Sequence, residues 1–259
     1  MVLRLDPRLP LIWRTPQSLQ FGLDHPRVVL EAVSPADERV IAALVTGVSG
    51  TGARMIGRSA GLDDPAFDAL MRTLAPALEH LAPRLGPTSA LVSGDGETTR
   101  RIRAMLEAAG MALIPDEPDA EPEIAVIVAH FVIEPEDHGR WLRRDIPHLA
   151  VVIGDETVRI GPIIRPGAGP CLHCLERHHT DADPAWPAMA SQLWRRRSVL
   201  DSSLVAQEVA TTVARLVLAQ RVVHRIEPLT SIEIDAATGD RMLREWQTHP
   251  DCGCASLTA

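Results

Sequence analysis

The residues best suited to chemistry in this sequence are its four cysteines, which fall into two close pairs. Cys171 and Cys174 form a Cys-x-x-Cys motif, and Cys252 and Cys254 form a Cys-x-Cys motif shortly after His249. A soft tetrahedral cation such as Zn²⁺ binds thiolates in pairs, because one short loop supplies half of the ligands and a second loop supplies the rest. The spacing therefore predicts a zinc site that joins the two pairs. Because four protein ligands leave no position for water, the predicted site is structural rather than catalytic.

Other states of these thiols stay open at the level of sequence. Two local disulfides, one long-range disulfide with two free thiols, and buried inert cysteines all use the same residues, and Cys252-x-Cys254 is tighter than the usual zinc spacing. The neighbouring His173, His178 and His179 could replace one cysteine, although histidines beside such a motif more often support the ligands or lie exposed. If all four cysteines bind metal, none is left to act as a nucleophile.

Composition removes several classes of function. All 26 basic residues are arginine, so a phosphate-binding P-loop lysine, a Schiff-base lysine and a kinase lysine are excluded. The net charge is −8 and the longest basic block is Arg195-Arg196-Arg197, which gives no footprint for a nucleic acid. No apolar run has the length of a membrane span and no signal-peptide pattern opens the sequence, so we expect a cytoplasmic protein with reduced thiols.

Residues 1–86 are predicted to form a winged-helix-like α+β domain. Three extended runs at 10–13, 19–22 and 27–31 precede three helical segments, the first of which begins at Ser34-Pro35. The third helix carries Arg72 as its only basic residue beside Asp68 and Glu79, which disfavours DNA as the ligand. A groove between an exposed strand and this helix can instead accept a peptide as an added strand. The predicted peptide-binding residues are Val28, Val29, Leu30, Phe67, Leu70 and Met71.

Residues 87–259, after a linker at 83–87, are predicted to form a Rossmann-type α/β domain. Strands at 89–93, 111–114, 124–129 and 149–153 alternate with helices at 100–109 and 135–144, which predicts a mainly parallel sheet. A long apolar helix at 201–226, capped by Asp201-Ser202-Ser203, is predicted to pack centrally, with a homodimer interface as the alternative. A hairpin of 231–235 and 241–246 then leads to the second cysteine pair.

The turn after the first strand of this domain is only a partial nucleotide-binding motif. Gly94 and Gly96 match G-x-G-x-x-G, but Thr99 stands in place of the third glycine. Asp95 and Glu97 put carboxylates where phosphate oxygens would lie. We therefore predict a structural turn to which ATP does not bind, with Gly94, Gly96 and Asp116 as the residues of a degenerate nucleotide loop.

Several short motifs of the chain occur together in one known protein family. They are Gly161-Pro162, Pro166-Gly167, Pro170-Cys171-Leu172-His173-Cys174, Asp183-Pro184-Ala185-Trp186-Pro187, the final His-Pro-x-Cys-x-Cys, and the N-terminal Leu11–Thr15 and Leu19–Gly22. Together they resemble the ThiF-type, ubiquitin-activating-enzyme-like proteins of azole-forming (TOMM) peptide biosynthesis. The resemblance implies a leader peptide bound by the N-terminal domain and a YcaO-type cyclodehydratase as partner.

Departures from this family bear on catalysis. Adenylating relatives carry a richer glycine loop, an Asn-x-x-Arg segment after an aspartate, and a lysine near the ATP phosphates. Here Asp116 has no such segment after it and the chain has no lysine. The sequence therefore predicts a non-catalytic protein that binds a leader peptide and presents it to its partner enzyme. The alternative is an ATP-dependent adenylyltransferase that uses arginines in place of lysine.

Overall fold

The computed structural model describes residues 2–79, 87–220 and 229–254 of the 259-residue chain. The chain forms two compact units, Met1–Pro83 and Arg84–Ala259. The predicted linker at 83–87 falls, apart from Pro87, outside the described residues, and so does the predicted extension of the long helix over 221–226. Within the described ranges, no helix combines the length and apolar character needed to cross a membrane.

Short strands precede three helices in the described part of the first unit. The elements are β1 (Val2–Leu3), β2 (Leu11–Thr15), β3 (Ser18–Phe21), β4 (Val28–Leu30), α1 (Pro35–Thr46), β5 (Val48–Ser49), α2 (Gly50–Ser59), α3 (Asp64–Leu74) and a 3-10 turn at Ala75–Ala77. Strands β2, β3 and β4 form an antiparallel sheet in that order, and β1 pairs with β5. The three predicted extended runs and three predicted helices are all present, whereas β1 and β5 are additional.

Side-chain caps explain where the helices of this unit begin. The Ser34 hydroxyl accepts a hydrogen bond from the Asp37 N–H at 3.1 Å, and the Asp37 carboxylate accepts one from the Ser34 N–H at 2.9 Å, which is a capping box. Asp63 caps α3 by accepting from the Ala66 N–H at 2.8 Å. Pro76 lies in the 3-10 turn after α3, because proline lacks the N–H that an α-helix would use there.

A seven-stranded sheet organises the second unit. The elements are β6 (Ser89–Ser93), α4 (Glu97–Ala108), β7 (Ala112–Leu113), β8 (Ile124–His130), α5 (Pro135–Arg140), a 3-10 turn at Leu142–Arg144, β9 (His148–Ile153), β10 (Thr157–Ile164), α6 (Leu172–Ala182), α7 (Trp186–Leu193), α8 (Ser203–Ala219), β11 (Thr230–Asp235) and β12 (Arg241–Glu245). The strand order is β12-β11-β10-β9-β8-β6-β7.

This sheet is mixed, which corrects the prediction of a mainly parallel one. Strands β7, β6, β8 and β9 pair in parallel, as expected for crossover helices. Strands β9, β10, β11 and β12 pair antiparallel. The difference arises from β10, which the sequence did not predict. Gly161 and the cis-bonded Pro162 lie inside it, and the register with β9 shifts between Ile160 and Ile163.

Each face of the sheet has its own apolar layer. Helices α4 and α8 cover one face, where α8 buries Val205, Val209, Val213 and Val217. The apolar side of α8 is therefore occupied by packing in its described part. The opposite face packs against α6, and its core cluster includes Cys171, Cys174 and Cys252. The cysteines thus belong to the hydrophobic core of this unit.

Candidate metal centre and sheet-end cleft

The first cysteine pair lies at the N-terminus of α6. Cys171 is the N-cap residue of this helix, and Cys174 lies in its first turn, where its N–H donates to the Cys171 carbonyl at 3.0 Å. The sequence analysis did not predict this helix. A helical turn brings residues three apart to the same side, so both sulfurs face one point.

The second pair is positioned by the end of the β11–β12 hairpin. Trp246 is buried, and its indole N–H donates to the Ser231 hydroxyl at 2.9 Å while its backbone N–H donates to the Leu229 carbonyl at 2.8 Å. The chain then turns, and the Cys252 N–H donates to the His249 carbonyl at 3.0 Å. The hairpin therefore brings the second pair to the first, as the sequence predicted.

The four sulfur atoms form one compact cluster. The Sγ atom of Cys171 lies 3.8 Å from that of Cys174 and 3.7 Å from that of Cys252. The Sγ atoms of Cys174 and Cys254 are 3.3 Å apart, and all four lie within 4.8 Å of one another. A tetrahedral ion with Zn–S bonds of about 2.3 Å separates its sulfurs by about 3.8 Å. All four thiols are free, so neither disulfide alternative is present, and the donor set fits Zn²⁺.

Burial favours the protonated form of two of the thiols in the absence of a cation, whereas hydrogen bonds lower the pKa of Cys174 against the effect of its burial. Burial raises the pKa of Cys171 to about 11 and also raises the pKa of Cys254. At neutral pH these groups are therefore neutral thiols. A bound metal ion stabilises the thiolate form, because its positive charge lies directly against the sulfur. Binding of a soft cation at this site would therefore release protons from these thiols.

A second group of possible ligands is formed by His178, Asp181 and His249, with one donor atom of each within 4.8 Å of the others. The Nδ1 atom of the buried His249 accepts a hydrogen bond from the Asp251 N–H at 3.1 Å, so its Nε2 carries the proton and donates to Asp181 Oδ2 at 2.9 Å. His178 Nε2 donates to the Gln247 carbonyl at 2.9 Å. Because both imidazoles bond the loop that carries Cys252 and Cys254, they act as supports of the ligand loop. His173, between the first two cysteines, is exposed.

A second candidate site lies at the carboxyl ends of β6 and β8. A cavity of about 450 Å³ is lined by Gly94, Asp95, Asp116, His130 and the segment Trp194–Arg197, among others. This is the edge of a doubly wound sheet at which ligands commonly bind. The structure brings the predicted Gly94 and Asp116 to one cavity, where Asp116 is paired with Arg140 at 2.8 Å.

Gly96 has a different environment from the one a nucleotide loop would give it. It precedes α4 with a φ of 97°, and a Cβ at this position would lie 2.0 Å from Asp201 Oδ2. The Asp201 carboxylate accepts hydrogen bonds from the Glu97 N–H at 2.9 Å and the Thr98 N–H at 2.8 Å. These bonds lower the pKa of Asp201 even though burial opposes its ionisation. Asp201 was predicted to cap α8, but its side chain caps α4.

The segment between α7 and α8 is held over this edge of the sheet by several contacts. Arg197 forms an ion pair with Asp95, so this carboxylate of the glycine turn is already neutralised. The Ser198 N–H donates to His130 Nδ1 at 3.3 Å, and the Ser198 hydroxyl donates to the Gly154 carbonyl. The position of Asp201 therefore follows from an anchored loop. Sequence reasoning missed Asp201 and Arg197, because they lie more than a hundred residues from the turn they contact.

The predicted peptide-binding residues lie in one cluster of the first unit. Val28, Phe67 and Leu70 are buried in its core, and the partly buried Leu30 and Met71 pack against that core. Val29 is directly opposite Gln20 on β3 and is also partly buried. Three of the six predicted residues are therefore accessible at the surface.

Backbone hydrogen bonding among the described residues shows which groups of β4 have no partner within the sheet. The Gly22 N–H donates to the Pro10 carbonyl at 2.9 Å, so Gln20 and Gly22 of the β3 segment bond towards β2. Because bonding alternates along an antiparallel strand, Leu19 and Phe21 bond towards β4, to Leu30 and Val28. The N–H and C=O of Val29 therefore point to the open edge of the sheet.

Comparison with known proteins adds information on the fold. No family model matches the chain, and no curated protein matches it in sequence. Solved structures of heterocyclases do match. A heterocyclase in complex with substrate and cofactor is 14% identical with a TM-score of 0.73, covering 98% of this chain and 39% of that one. The heterocyclase TruD is 15% identical with a TM-score of 0.71, covering 98% and 42%.

A further match is aligned over almost the whole of both chains. MccB of E. coli, crystallised with ATP, is 12% identical with a TM-score of 0.59, and the alignment covers 98% of this chain and 99% of MccB. The chain spans about two fifths of the length of the two heterocyclases. At these identities the matches establish that the chain has a mixed α/β fold like that of heterocyclases and MccB.

Proposed function

We propose that this chain is a ThiF-like, zinc-stabilised protein of azole-forming peptide biosynthesis that binds the leader of a precursor peptide. In this proposal it presents the peptide to a YcaO-type cyclodehydratase in the cytoplasm and catalyses no reaction itself. The fold shared with heterocyclases and MccB supports a role in peptide modification. The observation that carries the non-catalytic part is the position of the Asp201 carboxylate at the N-terminus of α4.

This carboxylate takes the place that a phosphate needs. In nucleotide-binding α/β folds, phosphate oxygens bind the free N–H groups of a glycine turn and of the helix that follows it. Here the N–H groups of Glu97 and Thr98 already bond to Asp201. A phosphate would have to displace an ionised side chain of the same sign, and Arg197, which contacts this turn, is already paired with Asp95. ATP binding is therefore unfavourable at this turn.

The first unit supplies the peptide-binding part of the proposal. We interpret it as a winged-helix-like module in which an extended peptide pairs with β4 and packs against α3. Val29 offers a free N–H and C=O for strand addition, and Leu30 and Met71 offer apolar contacts beside them. Phe67 and Leu70 support this surface from beneath, since they are buried.

Peptide binding can be tested with the full chain and fluorescently labelled leader peptides of azole-forming precursors. We expect saturable binding by fluorescence anisotropy and slower amide exchange at β4 in the complex. Val29→Pro removes the free N–H, and we expect it to weaken binding by about tenfold or more. Leu11→Pro is the matched control, because residue 11 also lies on a free edge, that of β2. Absence of binding by every leader, or equal effects of both variants, would contradict the proposal.

An adenylyltransferase is the second candidate function. It is favoured by the cavity beside Gly94 and Asp116, which lies at the ligand-binding edge of the sheet and contains the arginines 195–197. MccB, whose fold is similar, has been crystallised with ATP. ATP titration by calorimetry and ATP-dependent pyrophosphate exchange distinguish the two functions. The first proposal expects neither heat nor exchange, whereas exchange with a candidate carboxylate would establish the second.

A further inference from the structure

The outer strand of the large sheet, β12, has an unusual surface. All five of its residues, Arg241 to Glu245, are exposed, including Met242 at 65% and Leu243 at 73%. It is the edge of the seven-stranded sheet, paired only with β11 among the described residues. Proteins generally protect such edges, because an open strand with apolar side chains accepts another strand.

The free backbone groups of this edge can be identified. The Asp235 N–H donates to the Asp240 carbonyl at 2.9 Å, and the Trp246 N–H donates to the Leu229 carbonyl at 2.8 Å. These bonds lie at the two ends of the β11–β12 ladder. Because bonding alternates along an antiparallel strand, the backbone groups of residues 242 and 244 bond to β11. The N–H and C=O groups of Arg241, Leu243 and Glu245 consequently point away from the sheet.

These three residues also share one face of the strand, since side chains alternate. Arg241 marks it as the face that carries α8, because its guanidinium donates to Glu208 Oε1 at 3.1 Å and to Thr212 Oγ1 at 3.3 Å. Glu245, at the other end, forms no ion pair with any residue that the structure describes. The edge therefore presents a cation, an apolar side chain and an unpaired anion in sequence.

We propose that β12 pairs antiparallel with β12 of a second copy of this chain, about a two-fold axis at Leu243. This register places Leu243 against the partner's Leu243 and Arg241 against the partner's Glu245. The two-fold axis generates this Arg–Glu pair twice, once at each end of the contact. The charges of one β12 edge therefore match those of a second copy. All three residues with free backbone groups fall in hydrogen-bonded pairs. A register shifted by two residues would leave one charged end of each strand unpaired.

The size of this contact predicts its strength. Stable interfaces bury about 1,600 Å² in total, and one short strand from each copy buries much less. The dimer is therefore weak and depends on concentration, with a dissociation constant on the order of tens to hundreds of micromolar.

Analytical ultracentrifugation of the full chain tests this contact. We expect the wild-type protein to pass from monomer to dimer as its concentration rises through that range. Glu245→Arg places an arginine opposite Arg241 of the other copy, and we expect this repulsion to weaken the dimer by about tenfold. Arg215→Glu, a charge change on the exposed side of α8, is the control and should leave the dimer unchanged. Leu243→Pro should abolish the dimer without loss of a β11–β12 hydrogen bond, since the N–H of residue 243 points outward.

A mixing experiment tests the register itself. Glu245→Arg and Arg241→Glu each place like charges opposite one another in their own homodimers. A mixture of the two variants restores both ion pairs, so native mass spectrometry should detect mainly the mixed dimer. A wild-type chain that stays monomeric throughout, a dimer that survives Leu243→Pro, or a mixture without preference for the mixed dimer would overturn the proposal. Binding of a leader peptide, rather than a second copy, to β12 would overturn it as well.

Discussion

Thr98 donates both its backbone N–H and its hydroxyl to one carboxylate oxygen of Asp201, at 2.8 and 2.6 Å. The two residues are 103 positions apart in sequence. The cap of α4 is therefore supplied by the tertiary fold, whereas α1 and α3 are capped by adjacent residues. The positive end of the α4 dipole is matched by an anion of the chain itself.

Removing this carboxylate should destabilise the second unit. Asp201→Ala leaves the N–H groups of Glu97 and Thr98 without their partner, and loss of a helix cap costs about 1–2 kcal/mol. We expect a decrease of that size in the free energy of unfolding, measured by urea denaturation. Ser202→Ala is the matched control, because the neighbouring Ser202 makes no capping hydrogen bond with its side chain. Equal stability of Asp201→Ala and wild type would show that the cap contributes nothing.

The same contact should depend on pH. Hydrogen bonds from Thr98 and Glu97 lower the pKa of Asp201 in the folded chain. A lowered pKa stabilises the folded state fully above the unfolded pKa of about 3.9, and this contribution is lost as the pH falls through the folded value. The difference in unfolding free energy between wild type and Asp201→Asn should therefore be largest near neutral pH and shrink below about pH 4. A difference that grows on acidification would contradict this assignment.

Metal loading of the cysteine cluster should release protons. Burial raises the pKa of Cys171 to about 11 and raises that of Cys254, so both are thiols at neutral pH without metal. Thiolates bind the metal, so its affinity should fall as the pH is lowered. Calorimetric zinc titrations of the metal-free protein in buffers of different ionisation enthalpy measure this release. We expect one zinc per chain, and loss of binding in Cys174→Ser. Zinc uptake without proton release would indicate other ligands.

The imidazole of His249 should position the second cysteine pair rather than bind the ion. Its ring accepts a hydrogen bond from the Asp251 N–H and donates one to the Asp181 carboxylate. Removal of such a supporting side chain commonly lowers metal affinity 10–100-fold. We expect His249→Ala to raise the zinc dissociation constant by about that factor while the stoichiometry stays unchanged. His173→Ala is the control, because His173 is exposed between the first two cysteines. Loss of zinc from His173→Ala alone would instead identify a histidine ligand.

The sequence predicts local features of this fold better than distant ones. The cysteine cluster was predictable because each pair is a short motif and only one other pair exists. The cap at Ser34 was visible for the same reason, whereas the Asp63 cap was not predicted. Asp201 could not be assigned to the glycine turn, because nothing local relates the two. Its position depends on the loop anchored by Ser198 to His130 and Gly154.

Strand β10 shows a different limit. A glycine and a proline within an apolar run normally argue against a strand. Here the strand continues through Gly161-Pro162 because its register with β9 shifts at that point. Gly94 lies in the turn between β6 and α4, where the sequence has a glycine for a backbone reason. Its φ is 99°, and a Cβ would lie 2.3 Å from the Val128 carbonyl oxygen.

Because the cysteines lie within the core, the fraction of chains that are folded should depend on the concentration of free zinc. Cys171, Cys174 and Cys252 pack in the same apolar cluster as Trp141 and Trp246, so unfolding of this core scatters the ligand set. An ion that binds only the assembled set stabilises the folded chain by about 4 kcal/mol when its free concentration is a thousandfold above the dissociation constant. Zinc starvation would therefore act on this protein as a destabilising mutation does, by lowering the amount of folded chain.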